Sequence, residues 1–246
     1  MNYLVNSVKV VPVTERCRQI AKESKHICFG ISPFNSYYSE ARIKALAAWG
    51  IKNYESMHFF VPDVPSAYTF EALGYTPEKS AWKARRQCQY LFNKITKSLE
   101  ALGFGSESSS EMIVGWHKLN KNDVYLNFYQ QAVDLYENDC EFRLACNKAS
   151  LWVLESKIPY GVEINEAILQ SGVRYLFSEI PLFVNSAGIF SEEASVFSYH
   201  QPVSFIQDLF ERKISMKPSE NQGFLIVDPH ICSDNSISES NAELAN

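Results

Sequence analysis

The chain has 246 residues, a formal net charge of −5, and 46% hydrophobic and 21% charged residues. That length and balance suit one globular domain with a sizeable core. The acidic balance argues against a general nucleic-acid binder, which makes any locally basic surface informative.

No apolar run approaches the roughly 18 residues that a membrane span needs. The start, "MNYLVNSVKVVPVTERCRQ", has no basic region followed by an uninterrupted apolar one and does not read as a secretory signal. Six cysteines (17, 28, 88, 140, 146 and 232) are scattered without CxxC spacing. Zinc is therefore not expected, and reduced thiols in a cytoplasmic protein are.

In chain order, strands are expected at 7–13, 26–32, 56–62, 111–117, 194–200 and 223–229. Most are short apolar runs bounded by turn signals, the pattern of strands buried on both faces. Helical patterns fall near 39–49, 66–73, 77–102, 122–156, 162–184 and 202–212. Strands alternating with helices predict an α/β fold with parallel crossovers. The stretch from about 120 to 185 has no strand pattern and predicts an inserted helical layer. Residues 1–230 are expected to form a single domain. The Ser/Asn/Glu-rich end, 231–246, reads as a disordered tail.

"HICFGIS" (26–32) runs an apolar strand into Ser32 at its carboxyl edge, where ligands of open parallel sheets bind. As a helix cap Ser32 is poorly placed, because Asn35, Ser36 and Ser39 lie nearer the next helix. No dinucleotide fingerprint, phosphate loop or G-x-S-x-G elbow occurs.

Residues 79–97, "KSAWKARRQCQYLFNKITK", carry six basic side chains and no acidic one. At about 100° per residue, Lys79, Lys83, Arg86, Lys94 and Lys97 share one face with Tyr90, opposite Ala84, Cys88, Leu91 and Ile95. Solvated faces usually mix signs. A one-sided stripe about 27 Å long suits successive phosphates of a nucleic acid.

In "RYLFSEIPLFV" (174–184), Tyr175 and Glu179 stand one helical turn apart amid apolar neighbours. A carboxylate there suits binding an ammonium group or moving a proton, and equally a structural bond to Tyr175. Tyr199 ends the strand "ASVFSYH", again at a carboxyl edge, beside His200.

These pieces resemble the cyclodipeptide synthases. That family carries His-x-aliphatic-aliphatic-Gly-aliphatic-Ser, here His26 to Ser32 with Cys28 and Phe29 at the aliphatic positions. It also carries Tyr-aliphatic-x-x-Glu-x-Pro, here Tyr175 to Pro181. The resemblance covers roughly residues 25–212 and implies a Rossmann-like sheet similar to the catalytic domain of class I aminoacyl-tRNA synthetases. It implies two aminoacyl-tRNAs as partners, a cyclic dipeptide as product, and no cofactor or metal. By position, Ser32 would take the first aminoacyl group, Tyr175 and Glu179 would hold its α-ammonium, and Tyr199 would serve later proton transfers. Asn35 matches one branch of the family. That branch usually has Gln at position 200, and another has Pro. Here it is His200, an imidazole that can carry a proton near neutral pH.

The pocket for the first side chain is expected at Cys28, Gly30 and residues near Val61, which suits an apolar or aromatic residue. The basic stripe would hold tRNA, and the protein is expected to act as a monomer. Other readings are a serine hydrolase with Ser32 activated by His200 or His26, a non-catalytic tRNA-binding module, or a structural α/β protein.

Overall fold

The computed structural model of the chain describes residues 5–231. Six strands form one sheet: β1 (Val5–Pro12), β2 (His26–Gly30), β3 (Ser56–Phe60), β4 (Ile113–Val114), β5 (Ser195–Tyr199) and β6 (Gln222–Ile231). Their order is β1-β6-β5-β2-β3-β4. All six lie within expected strand regions, give or take the ends. The expected tail falls outside the described residues, save Ile231 at the end of β6.

From β6 to β4 every neighbouring pair is parallel. β1 differs: it runs antiparallel against β6, Val8 opposite Pro229 and Val10 opposite Val227. Strand–helix alternation constrains parallel neighbours joined by a crossover, not a strand that lands at a far edge. The burial of β1 and β2 follows from position. All five residues of β2 are buried, whereas Val10 and Val11 on edge strand β1 are exposed.

The helices of the first half are α1 (Glu15–Glu23), α2 (Glu40–Asn53), α3 (Ser66–Ala72), α4 (Pro77–Glu100), α5 (Ser106–Met112) and α6 (Trp116–Leu119). The helices of the second half are α7 (Asp123–Asn138), α8 (Cys140–Glu155), α9 (Glu166–Phe190) and α10 (Ser204–Phe210). The expected helical layer is α7, α8 and α9.

One expected helix, 122–156, is two. Asp139 breaks it with extended backbone, and its Oδ1 accepts the N–H groups of Glu141 and Phe142 to start α8. A short carboxylate favours capping over a helix interior. α9 runs past the expected end at 184. Pro181 lies inside it, and Asn185 leaves helical geometry at φ −155° and ψ 50°. α1 is not among the expected helices, although Thr14 caps it by accepting the N–H of Cys17, with Glu15 in the first turn.

Two apolar layers sandwich the sheet. Ile27, Phe29 and Ile31 pack with Ile43, Leu91 and Ile95 of α2 and α4. Cys28 and Phe197 pack with residues of α7–α10 on the other side. Among the described residues no helix is long and apolar enough to cross a membrane.

Candidate active site at the carboxyl edge

Ser32 lies two residues beyond β2. The ladder reaches one residue past the strand, where the N–H of Ile31 donates to the Phe60 carbonyl at 2.9 Å. The chain then turns through Pro33. The helix after the turn is capped by Ser39, whose hydroxyl accepts the Arg42 N–H at 3.3 Å. Ser32 is therefore free of capping.

A cavity of about 300 Å³ opens here. Its wall brings together Ser32, Asn35, Tyr175, Glu179 and Tyr199, drawn from the β2–α2 turn, α9 and the end of β5. Tyr175 and Tyr199 stand on the same wall as Ser32, and Tyr175 lies one helical turn from Glu179 on it. Asn35 shares that wall with Tyr199. Local bonds hold α9 at this point: Ser178 Oγ donates to the Tyr175 carbonyl at 2.6 Å, and Tyr125 Oη to the Ser178 carbonyl at 2.9 Å.

Glu179 opens to the cavity on one side and is packed by protein on the others. Burial pushes its carboxyl up to about 8, and the Tyr175 hydroxyl offsets only part of that. No cationic side chain contributes to the balance. The tyrosines around it respond in turn. Burial first, and then the field of Glu179, hold the Tyr175 hydroxyl well above its ordinary value and Tyr199 at about 12. A buried carboxyl with hydroxyls but no cation beside it can receive a cationic ligand group or a proton.

Gly30 lines the cavity, and its lack of a side chain matters. A Cβ there would meet Phe197 Cζ at 2.7 Å, so the ring occupies that space and forms the floor. The other two expected pocket residues do not reach the cavity. Cys28, one pleat down the strand from Gly30, is fully buried, and Val61 is buried in the layer under α2 and α4. The walls are instead Phe183, Phe197, Phe205 and Phe224 on one side and Leu154, Gly172 and Leu176 on another. Single aromatic positions carry no sequence signal for a pocket, because core packing uses the same residues. Lys157, also unforeseen, lines the cavity half-buried and donates to the Phe34 carbonyl at 3.3 Å.

His200 follows Tyr199 at the same edge, with Nε2 at 3.0 Å from Asn35 Nδ2 and Nδ1 at 3.2 Å from Tyr38 Oη. His26 sits at the opposite end of β2. Its Nδ1 lies 2.7 Å from Ser195 Oγ and its Nε2 2.8 Å from His58 Nδ1. Neither imidazole is bonded to Ser32, so the hydrolase arrangement, a serine with its own base, is not formed.

On α4, Lys79, Arg86 and Lys97 are exposed, as is Arg85, and Ala84, Cys88, Leu91 and Ile95 are buried as the helical period requires. None of the helix's basic residues is in an ion pair among the described residues. Two of the five stripe residues are half-buried. Lys83 lies over the Tyr75 ring at 4.4 Å, and Lys94 Nζ donates to the Tyr38 carbonyl at 3.4 Å.

A family model described as cyclodipeptide synthase matches residues 8–229. The chain belongs to the cyclodipeptide synthase family, enzymes that form cyclic dipeptides. It is 27% identical over 230 residues to the cyclo(L-leucyl-L-leucyl) synthase of Staphylococcus haemolyticus, covering 91% of this chain and 95% of that one. It is 28% identical over 221 residues to the cyclo(L-tyrosyl-L-tyrosyl) synthase of Mycobacterium tuberculosis, covering 89% and 75%. Among solved structures, a cyclodipeptide synthase from Bacillus thermoamylovorans superposes with a TM-score of 0.83 at 28% identity, over 92% of this chain and 98% of that one. A Mycobacterium tuberculosis cyclodipeptide synthetase, described as related to type I tRNA synthetases, superposes at 0.79 with 27% identity, over 91% and 94%. The sheet of this synthase is accordingly Rossmann-like.

Proposed function

We propose that this cyclodipeptide synthase draws both amino acids from aminoacyl-tRNAs and joins them through esters on Ser32. The observation that carries the reading is the meeting of Ser32, Tyr175, Glu179 and Tyr199 on one cavity at the carboxyl edge. An aminoacyl-tRNA is already an activated ester, so a serine without its own histidine can exchange with it.

In the first step Ser32 Oγ attacks the ester carbonyl of one aminoacyl-tRNA. The Oγ–C bond forms, the bond to the ribose oxygen breaks, and the serine proton passes to that leaving oxygen. Glu179 and Tyr175 hold the α-ammonium group. The ammonium lowers the affinity of Glu179 for a proton, so the carboxylate can then take one from the ammonium itself. The freed amine attacks the ester carbonyl of the second aminoacyl-tRNA: the C–N bond forms, the bond to the ribose oxygen breaks, and that oxygen leaves with the proton given up by the amine, so that a dipeptidyl-Ser32 ester remains. The new terminal amine attacks that ester in turn. The six-membered ring closes and a proton returns to Ser32 Oγ, with Tyr199 placed to relay it.

Phe183, Phe197, Phe205 and Phe224 favour apolar or aromatic side chains in the cavity. The relatives named for leucyl and tyrosyl products support that choice. The exposed cations of α4 contact the tRNA backbone. The test is to supply purified enzyme with labelled aminoacyl-tRNAs, read cyclic dipeptides by mass spectrometry, and quench early to find label on Ser32. Product made equally well from free amino acids without tRNA, or a protein that never carries label, ends this proposal.

A further inference from the structure

The hydrogen bonds around His200 have directions that can be assigned atom by atom. Asn35 Oδ1 accepts the Tyr37 N–H at 2.9 Å, which turns Nδ2 toward His200 Nε2 at 3.0 Å. An amide nitrogen only donates, so Nε2 accepts and carries no proton. Tyr38 Oη spends its single proton on the Gly30 carbonyl at 2.7 Å. Its contact with His200 Nδ1, at 3.2 Å, must therefore be made by a proton on Nδ1. Both ring nitrogens are engaged. The other N–H of the Asn35 amide is not used by these bonds, on a cavity wall that Asn35 shares with Tyr199 and Ser32.

The ring is held on its faces too. Tyr37 stacks on it at 4.3 Å and 28°, and Tyr199 meets it edge-on at 4.4 Å. Two charged side chains act on the imidazole, Asp228 from β6 and Arg42 from α2, with opposite effects. Asp228 is occupied by Tyr37 Oη at 2.6 Å, and Arg42 lies over the Tyr37 ring at 4.2 Å. Burial dominates and brings the imidazole down to about 4, so it is uncharged at neutral pH.

We propose that His200 is a positioning residue: its Nδ1–H imidazole fixes the Asn35 amide on the cavity wall beside Tyr199 and Ser32, and no proton of the reaction passes through the ring. The inference rests on the reading of Ser32 and Tyr199 as reacting groups. A relay needs one nitrogen to release a proton while the other takes one, and both are committed here to partners outside the cavity wall's reactive groups. Glutamine offers the same pair of functions, a carbonyl for Asn35 and an N–H for Tyr38. Leucine has similar bulk and neither.

The test compares the full-length wild type with His200→Gln and His200→Leu in rates of cyclic dipeptide formation between pH 5.5 and 9. His200→Gln should stay within about threefold of wild type with an unchanged pH profile, and His200→Leu should lose at least about tenfold in kcat rather than KM. If the glutamine variant falls as far as the leucine variant, or loses a pH limb that wild type shows, His200 is a proton carrier instead. A measurement that needs no functional variant is 15N NMR of histidine-labelled wild type. It should show an uncharged Nδ1–H ring at pH 7; an imidazolium or an Nε2–H ring overturns the assignment. A wild type that makes product with no label on Ser32 defeats the serine-ester reading alone, since the tautomer and the glutamine-to-leucine ratio still decide the role of His200.

Discussion

The two ends of β2 and β5 solve the same problem with opposite results. At the amino end, Gln222 Nε2 donates to the Gly223 carbonyl, so Oε1 accepts from Ser186 at 2.8 Å. Ser186 must then accept from Ser195, Ser195 from His26 Nδ1–H, and His26 Nε2 from His58 Nδ1–H. His58 is stacked on Phe190 at 4.2 Å. Each of these residues bonds to protein within that chain. At the carboxyl end a similar network of hydroxyl, imidazole and amide runs from Tyr38 through His200 to Asn35, which shares the cavity wall with Tyr199. That wall also carries Ser32 and Glu179, a carboxyl in no ion pair among the described residues, and it faces a cavity. A closed buried network specifies the fold; one left open toward a cavity keeps groups available to a ligand.

The sharpest way to break this contrast is to remove the serine at the open end. Ser32→Ala should abolish cyclic dipeptide formation, by about a thousandfold or more, and prevent labelling by aminoacyl-tRNA, while thermal unfolding stays near wild type. Near-normal product from this variant would return Ser32 to an ordinary turn residue.

Glu179→Gln comes next. It keeps shape and removes the charge that pairs with an ammonium, so acylation or peptide formation should fall at least about tenfold, a charge-assisted bond being worth roughly 1.5–3 kcal/mol. The same variant tests the burial argument without substrate. The folded carboxyl is raised from 4.5 to about 8, so its favourable contribution is present below pH 4.5 and is lost as pH rises through 8. Glu179→Gln should therefore unfold at a higher temperature than wild type near pH 9, and the gain should vanish near pH 4.5. Equal melting curves at pH 9 would show that burial does not strain this group.

The closed end predicts the reverse pH dependence. Burial brings His26 down to about 3, helped by His58, and brings His58 to about 4, helped by Lys118. Their contribution to stability is full above pH 6.5 and is lost as pH falls through about 4 and 3. Melting temperature should drop steeply over that range. Replacing both histidines by glutamine should flatten the drop, though stability at neutral pH falls because a directed network is disturbed. An equally steep acid limb in the double variant would assign acid unfolding to other groups.

The smallest effect belongs to the solvent-facing helix. Neutralising Lys79, Arg86 and Lys97 should weaken tRNA binding and lower its salt slope by roughly 0.7–0.9 for each phosphate no longer neutralised. Lys94 is a poor choice for this test, because its bond to the Tyr38 carbonyl would be broken too. Reaction with a small activated aminoacyl ester lacking tRNA should change little. An unaltered salt slope would make the stripe a solvated face.

Local pattern was enough to place all six strands, the amphipathic α4, and the pairing of Tyr175 with Glu179, because strand and helix periods are properties of neighbouring residues. Two spaced motifs also marked Ser32 and the edge where Tyr199 stands. Sequence did not reveal that β1 turns antiparallel, since its partner β6 lies some two hundred residues away. Nor did it show that Phe197 fills the hollow at Gly30 and that Cys28 and Val61 stay buried; those outcomes depend on which strands become neighbours. The state of His200 is the clearest case of this kind. Its two nitrogens are assigned by Asn35 and Tyr38, and by backbone groups that hold those partners, none of which is adjacent to it in the chain. Periodicity can say which face a side chain takes, but only packing decides what it meets there and how much water is excluded, and those two quantities set its charge.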